Sequence, residues 1–305
     1  MSKSLAEFRF PQKTESSEII FLPALPVKKY CSRKTCARRA REWSAIPSWQ
    51  ERRSLFCHAN TYYEKRIELI PMKEGILGVL GGMGPQATNT FYQRIIDRTQ
   101  AESDQEHLRV LIWSDAKIPD RTAGILGGDA EAVYETLLAD AKLLEGAGCT
   151  VLAIPCNTSH YFADRLQAQL TVPIIHMIRE TVGAIAAAGR RTVGILATDG
   201  TIQTGIYQKE LEAAGLTAVT PPADLQKVVM SIIYDEIKRG ETGSREKFGE
   251  IDSFLRQAGC DCAILGCTEL SVYRTLHGLP PYYIDAMEIL AEQSILRCGK
   301  RLRNV

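Results

Sequence analysis

Two stretches of the 305-residue chain repeat one another: Ala147-Gly148-Cys149-Thr150-Val151-Leu152-Ala153-Ile154-Pro155-Cys156-Asn157-Thr158 and Ala258-Gly259-Cys260-Asp261-Cys262-Ala263-Ile264-Leu265-Gly266-Cys267-Thr268-Glu269. Each opens on Ala-Gly-Cys, with glycine as the natural C-terminal breaker of a preceding helix. Each continues as a short apolar run that reaches another cysteine, Cys156 or Cys267, seven residues after the first. The repeat extends outward. Gly78-Val79-Leu80 lies 78 residues before Cys156, and Gly194-Ile195-Leu196 lies 73 residues before Cys267. A proline-marked strand follows each cysteine, at Pro173 and Pro281.

Around this repeat, apolar runs ending in glycine or small residues alternate with amphipathic segments. Strands are expected at Ile76 to Leu80, Leu108 to Ser114, Val151 to Ile154, Pro173 to His176, Thr192 to Leu196, Cys262 to Leu265 and near Tyr282 to Ile284. Helices are expected at Ala87 to Thr99, Ala130 to Gly146, His160 to Leu170, near Ile202 to Ala214, Leu225 to Arg239, Arg245 to Ala258 and Ala286 to Cys298. Alternating strands and helices imply parallel sheets covered on both faces. The expected fold is α/β: two pseudo-symmetric parallel-sheet domains with the active site in the cleft between them. The first domain takes 72–176 plus 285–305 and the second 177–284.

Residues 1–71 differ in kind. They contain none of the 23 glycines and carry 14 Lys and Arg against 7 Asp and Glu, a net of +7 beside −6 for the remainder. This stretch is expected to be a poorly packed basic extension, outside the catalytic body. A chain starting at Met72 is expected to keep activity. Cys31, Cys36, Cys57 and His58 lack the tight spacing of zinc-ligand pairs, so no metal is expected. A composition 45% hydrophobic and 24% charged, with net charge +1, excludes a collagen-like or wholly disordered chain and a global polyanion binder. No specific nucleic-acid partner is expected. The apolar stretch Ile19 to Val27 is short, broken by Pro23 and Pro26, and leads into Lys28 and Lys29, unlike a signal peptide. No run reaches the ~20 apolar residues of a membrane span. Nine cysteines, an odd number in a chain of this size, argue for free thiols in a reducing, cytoplasmic setting.

Free thiols at the carboxyl ends of parallel strands stand where such sheets bind ligands. Two that face each other across a cleft suit removal of a proton from one face of a carbon and delivery to the other. Backbone N–H groups at helix N-termini after each cysteine are expected to stabilise developing charge and lower the thiol pKa. Cys149, Cys260 and Cys262 read as packing residues, and Cys298 has no evident role. His160, one helical turn after Cys156, reads as an ordinary hydrogen-bonding histidine beside the alternative of tuning that thiol. Gly81-Gly82-Met83-Gly84 is neither a dinucleotide fingerprint nor a P-loop.

Gly81-Gly82-Met83-Gly84-Pro85-Gln86-Ala87-Thr88, Pro155-Cys156-Asn157-Thr158 and Gly266-Cys267-Thr268-Glu269-Leu270 together resemble the aspartate/glutamate racemase family, nearest its aspartate racemase branch. The resemblance covers about residues 72–300 and implies an isomerase that racemises an amino acid without pyridoxal phosphate, metal or nucleotide. By that similarity Cys156 and Cys267 are the alternating acid and base. It further implies substrate contacts from Asp120, Arg121 and Thr122, from Asn157 and Thr158, from Thr198 and Thr201, from Lys238, and from Thr268 and Glu269. Met83 shapes the cleft floor. A homodimer and a small amino-acid substrate are also implied. Glu269 stands where glutamate racemases carry a histidine, which favours aspartate. The alternatives are glutamate, broad-specificity amino-acid or hydantoin racemases, maleate isomerase-like chemistry with a nucleophilic cysteine, and a non-catalytic binding module. Residues 1–71 have no counterpart in the family pattern.

Overall fold

The computed structural model describes residues 74–303. The basic extension, the candidate ligands Cys31, Cys36, Cys57 and His58 and the start at Met72 lie outside the described residues. The elements are β1 (Ile76–Gly81), α1 (Pro85–Arg98), β2 (Arg109–Ser114), α2 (Arg121–Gly127), α3 (Ala130–Gly146), β3 (Val151–Ala153), α4 (Ala163–Gln167), β4 (Ile174–Ile175), α5 (Met177–Ala187), β5 (Thr192–Ala197), α6 (Asp199–Thr204), α7 (Ile206–Ala213), β6 (Thr217–Val219), α8 (Ala223–Ser231), α9 (Arg245–Gln257), β7 (Cys262–Gly266), α10 (Thr268–His277), β8 (Tyr283–Asp285) and α11 (Ala286–Arg297).

The eight strands form two four-stranded sheets, ordered β2-β1-β3-β4 and β6-β5-β7-β8, with every pairing parallel. The two orders are the same, so the sequence repeat is a repeat of topology. The second and third strands of each sheet are buried throughout, except for the half-buried first residues Ile76 and Thr192. This is why they read as unbroken apolar runs and show no alternation.

The sheets exchange helices. α5, which follows β4 of the first sheet, buries Ile178, Val182 and Ile185 among Val193, Ile195 and Cys262 of the second. α11, which follows β8 of the second sheet, buries Met287, Leu290 and Ile295 among Leu77, Val79 and Val151 of the first. Each crossover removes apolar surface of both halves from water, at roughly 25 cal/mol per Å² buried.

Several expected elements differ. The helix expected from His160 starts as a 3-10 turn over Thr158–Phe162 and becomes α-helical only at Ala163. The helix expected near Ile202 to Ala214 is two helices, separated at Gly205, whose φ of 67° is left-handed. The helix expected at Leu225 to Arg239 runs as α8, a π-helical turn over Ile232–Glu236, and a 3-10 turn over Ile237–Arg239. α2, α5 and β6 add to the expected elements, and α10 gives a range to the helix expected after Cys267.

Candidate functional site

Cys156 and Cys267 leave the equivalent strand of each sheet at its carboxyl end, and each is 6% exposed. Cys156 follows a tight turn in which its N–H donates to the Ile154 carbonyl at 2.8 Å. Pro155 at the centre of that turn presets the backbone. Cys267 directly follows β7 and is the N-cap residue of α10. Both thiols line one narrow cavity. The cavity wall also includes Met83, Asp120, Arg121, Thr122, Asn157, Thr158, Thr198, Lys238, Thr268 and Glu269, together with Tyr234, which sequence reasoning missed. Tyr234 stands four residues before Lys238, and that helical spacing was the available signal.

Thr201 is the one expected site residue that does not line the cavity. It is fully buried, with its hydroxyl 2.9 Å from that of Thr158 and 3.2 Å from that of Thr198. The three hydroxyls tie the strand end of one lobe to the α6 N-terminus of the other. Met83 lines the cavity and takes a contact from the Ser159 hydroxyl at 3.1 Å. Its turn needs glycine at Gly82, where φ is +93° and a Cβ would lie 2.2 Å from the Asp115 carbonyl oxygen.

The charges form two groups. Asp120 caps α2 by accepting from the Ala123 N–H at 2.9 Å. Its other oxygen accepts from the Tyr234 hydroxyl at 3.1 Å and lies 3.7 Å from the Lys238 ammonium. Burial pushes the Asp120 carboxyl up, but the Ala123 N–H, Lys238 and Arg121 outweigh it and hold its pKa low. Lys238 lies 3.6 Å over the Tyr234 ring. Burial would lower the Lys238 pKa, yet Glu269, Tyr234 and Cys267 raise it, so the ammonium is kept charged. Arg121 is raised likewise, against burial, chiefly by the Cys156 thiol beside it and by Asp120. One terminal nitrogen, Nη1, donates to both the Ile118 and Pro119 carbonyls, at 3.3 and 3.1 Å, and the buried Nε has no partner among the described residues.

Cys267 has a different neighbour. Its S–H donates to Glu269 Oε2 at 2.8 Å, and the Thr268 hydroxyl reaches the same oxygen at 3.3 Å. Burial and the Glu269 carboxylate push the Cys267 thiol well above its ordinary range. This corrects the expectation that the helix N-terminus would lower it. The Glu269 N–H and Lys238 do act in that direction, but burial and the adjacent carboxylate are larger. On the Cys156 side, a 3-10 turn stands where an α-helix N-terminus was expected.

Behind Cys156 the wall is held from both lobes. Tyr207, fully buried on α7, donates its hydroxyl to Asn157 Oδ1 at 2.6 Å. That bond fixes the amide and leaves the buried Nδ2 without a partner among the described residues. His160 joins two backbone groups: its Nδ1 lies 2.9 Å from the Cys156 carbonyl, and its Nε2 accepts the Met177 N–H at 3.0 Å. Nε2 is therefore the acceptor and Nδ1 the donor of a neutral ring. Burial and the neighbouring His176 lower its pKa to about 4. His160 is a structural link and not a base. Cys149, Cys260, Cys262 and Cys298 are buried within the apolar clusters.

Two matching parallel α/β lobes, each sending a buried thiol from a strand end into one polar cavity, define a pseudo-symmetric two-lobed protein. The chain belongs to the Asp/Glu/hydantoin racemase family, a family of isomerases, whose profile matches residues 80–294. The aspartate racemase of Picrophilus torridus is 30% identical, with a TM-score of 0.65, over 75% of this chain and 96% of that one. A putative Asp/Glu racemase from Yersinia pestis is 26% identical, with a TM-score of 0.62, over 72% of this chain and 97% of that one. Among curated relatives, the broad specificity amino-acid racemase RacX of Bacillus subtilis is 33% identical over 144 residues, which make up 46% of this chain and 62% of the relative. The match thus spans less than two thirds of that relative. Among the described residues no helix is long and apolar enough to cross a membrane.

Proposed function

We propose that the chain interconverts the L and D forms of an acidic amino acid, aspartate by preference, by a cofactor-independent two-base mechanism. One thiolate takes the Cα proton from one face, and the S–H of the opposite cysteine delivers a proton to the other. The bond electrons rest meanwhile on the substrate carboxylate as an enediolate. The observation that carries the reading is one cavity lined by a thiol from each lobe. Cys267 enters as the acid, its proton retained by burial and Glu269. Arg121 sets a fixed positive charge beside Cys156.

Substrate class follows from the cations. Arg121 and Lys238 both line the cavity and both are held charged. A substrate with two carboxylates matches them, and Arg121 offers bidentate geometry to one of the two. The Asn157 Nδ2, buried without an acceptor, gains one from a carboxylate oxygen and relieves a cost of about 1–3 kcal/mol. We assign the protein to cytoplasmic amino-acid metabolism and to a homodimeric assembly, in line with the family resemblance.

A panel of enantiopure amino acids, incubated without added cofactor and resolved by chiral chromatography, tests the reading. Aspartate should racemise fastest. Faster turnover of neutral amino acids would replace it with broad specificity. Turnover of maleate without α-proton exchange would replace it with cysteine addition chemistry.

A further inference from the structure

Arg94, on α1 of the first lobe, does not line the cavity, yet beside a 3.4 Å pair with Glu288 on α11 its guanidinium reaches β8 and α10 of the second lobe. It donates to Asp285 Oδ2 at 2.5 Å, to the Ser271 carbonyl at 3.1 Å and to the Thr275 hydroxyl at 3.1 Å. Asp285 has no side-chain exposure and Arg94 has 11%. Asp285 closes β8 and uses its other oxygen for the Ser271 hydroxyl at 2.6 Å and the Met287 N–H at 3.0 Å. Ser271 and Thr275 both lie on α10, the helix that Cys267 caps. The α1 helix, in turn, begins directly after the turn that carries Met83, a residue of the cavity wall. One guanidinium therefore joins the helix that follows this turn to the helix that Cys267 caps.

We propose that Arg94 is a positioning residue for proton transfer at Cys267: its grip on α10 and Asp285 sets how far the Cys267 thiol stands from the Cys156 half of the site. The proposal rests on the racemase reading above. A buried, forked, charge-assisted set of bonds suits this use, because it fixes orientation as well as distance. A misplacement of about 1 Å at a reacting group can cost on the order of 10²-fold in rate. Cys156 is held separately, by the Pro155 turn and the His160 link, and does not depend on Arg94.

The test uses the full chain with Arg94→Met and Arg94→Lys, from each aspartate enantiomer in D2O, following inversion by chiral chromatography and Cα deuteration by NMR. With Cys267 displaced, the enantiomer deprotonated by Cys156 exchanges its proton without inverting. The other enantiomer is simply slowed. The expected result is a rise of about tenfold or more in the exchange-to-inversion ratio from one enantiomer only, with Arg94→Lys between Arg94→Met and wild type. If Arg94→Met does not fold, Arg94→Lys carries the test, since one ammonium cannot serve Asp285 and the Ser271 carbonyl with the fork's geometry. An unchanged ratio in a folded variant overturns the proposal. Peptide-mapped iodoacetamide labelling separates this from failure of the racemase reading. If wild type turns over no amino acid, the reading falls. The clamp then still requires that the variants speed labelling at Cys267 but not at Cys262, which is buried in the second sheet. Equal labelling rates in variant and wild type, or equal acceleration at both cysteines, overturn it.

Discussion

The two cysteine sites occupy equivalent strand ends of two sheets with the same strand order, and their surroundings are opposite. Cys156 has a guanidinium beside it and a proline-fixed turn behind it. Cys267 has the Glu269 carboxylate within hydrogen-bond distance and a helix in front of it. The repeat thus places a thiol from each lobe on one cavity, while the side chains beside the two thiols differ. On the proposed mechanism, symmetry of backbone supplies the paired thiols and asymmetry of side chains distinguishes them.

Replacing either thiol breaks the comparison most completely. Cys156→Ala or Cys267→Ala should lower inversion by several orders of magnitude, measured by chiral chromatography, with circular dichroism confirming the fold. Next comes Glu269→Gln. It removes the neighbouring charge that, after burial, does most to raise the Cys267 pKa. Any alkaline limb that reports loss of the Cys267 proton should move to lower pH in kcat/KM profiles, because the thiol then surrenders its proton earlier. An unmoved limb would remove Glu269 from the account.

A smaller effect is expected from Tyr207→Phe, which is nearly isosteric. Loss of its bond to Asn157 frees the amide to rotate and present Oδ1 to the substrate carboxylate. A net hydrogen bond of about 1 kcal/mol corresponds to roughly a fivefold loss in kcat/KM. His160→Asn sharpens the comparison through stability. His160 is neutral and buried when folded, with a pKa near 4 against 6.5 in the unfolded chain. The unfolded state binds the extra proton, so the contribution is complete above pH 6.5 and is lost as pH falls toward 4, by on the order of 3 kcal/mol. Denaturant titrations across that range should show a shallower slope in the variant, which has no imidazole.

The parts of this site that were legible in sequence are those carried by local chemistry. Ala-Gly-Cys followed by an apolar run and a cysteine marks a helix stop, a buried strand and a strand-end thiol. All three hold in both halves. The family resemblance then carried Asp120, Arg121, Lys238 and the threonines to one cavity. Thr201 fell behind the wall because its role depends on a partner in the other lobe, Thr158, 43 residues away. Tyr207, 50 residues from Asn157, and Arg94, 191 from Asp285, escaped for the same reason. A buried tyrosine or a helix-surface arginine looks the same in sequence whether or not it reaches across. The switch from α to π and 3-10 turns around Tyr234 and Lys238 was likewise invisible, since apolar periodicity continues through it.

The most direct test of paired thiols on opposite faces is deuterium uptake by the two alanine variants, each offered L- and D-aspartate separately in D2O. The account predicts that each variant exchanges the α-proton of one enantiomer without inverting it, and that Cys156→Ala and Cys267→Ala choose opposite enantiomers. Wild-type-like inversion by either variant, or the same enantiomer exchanged by both, would contradict it.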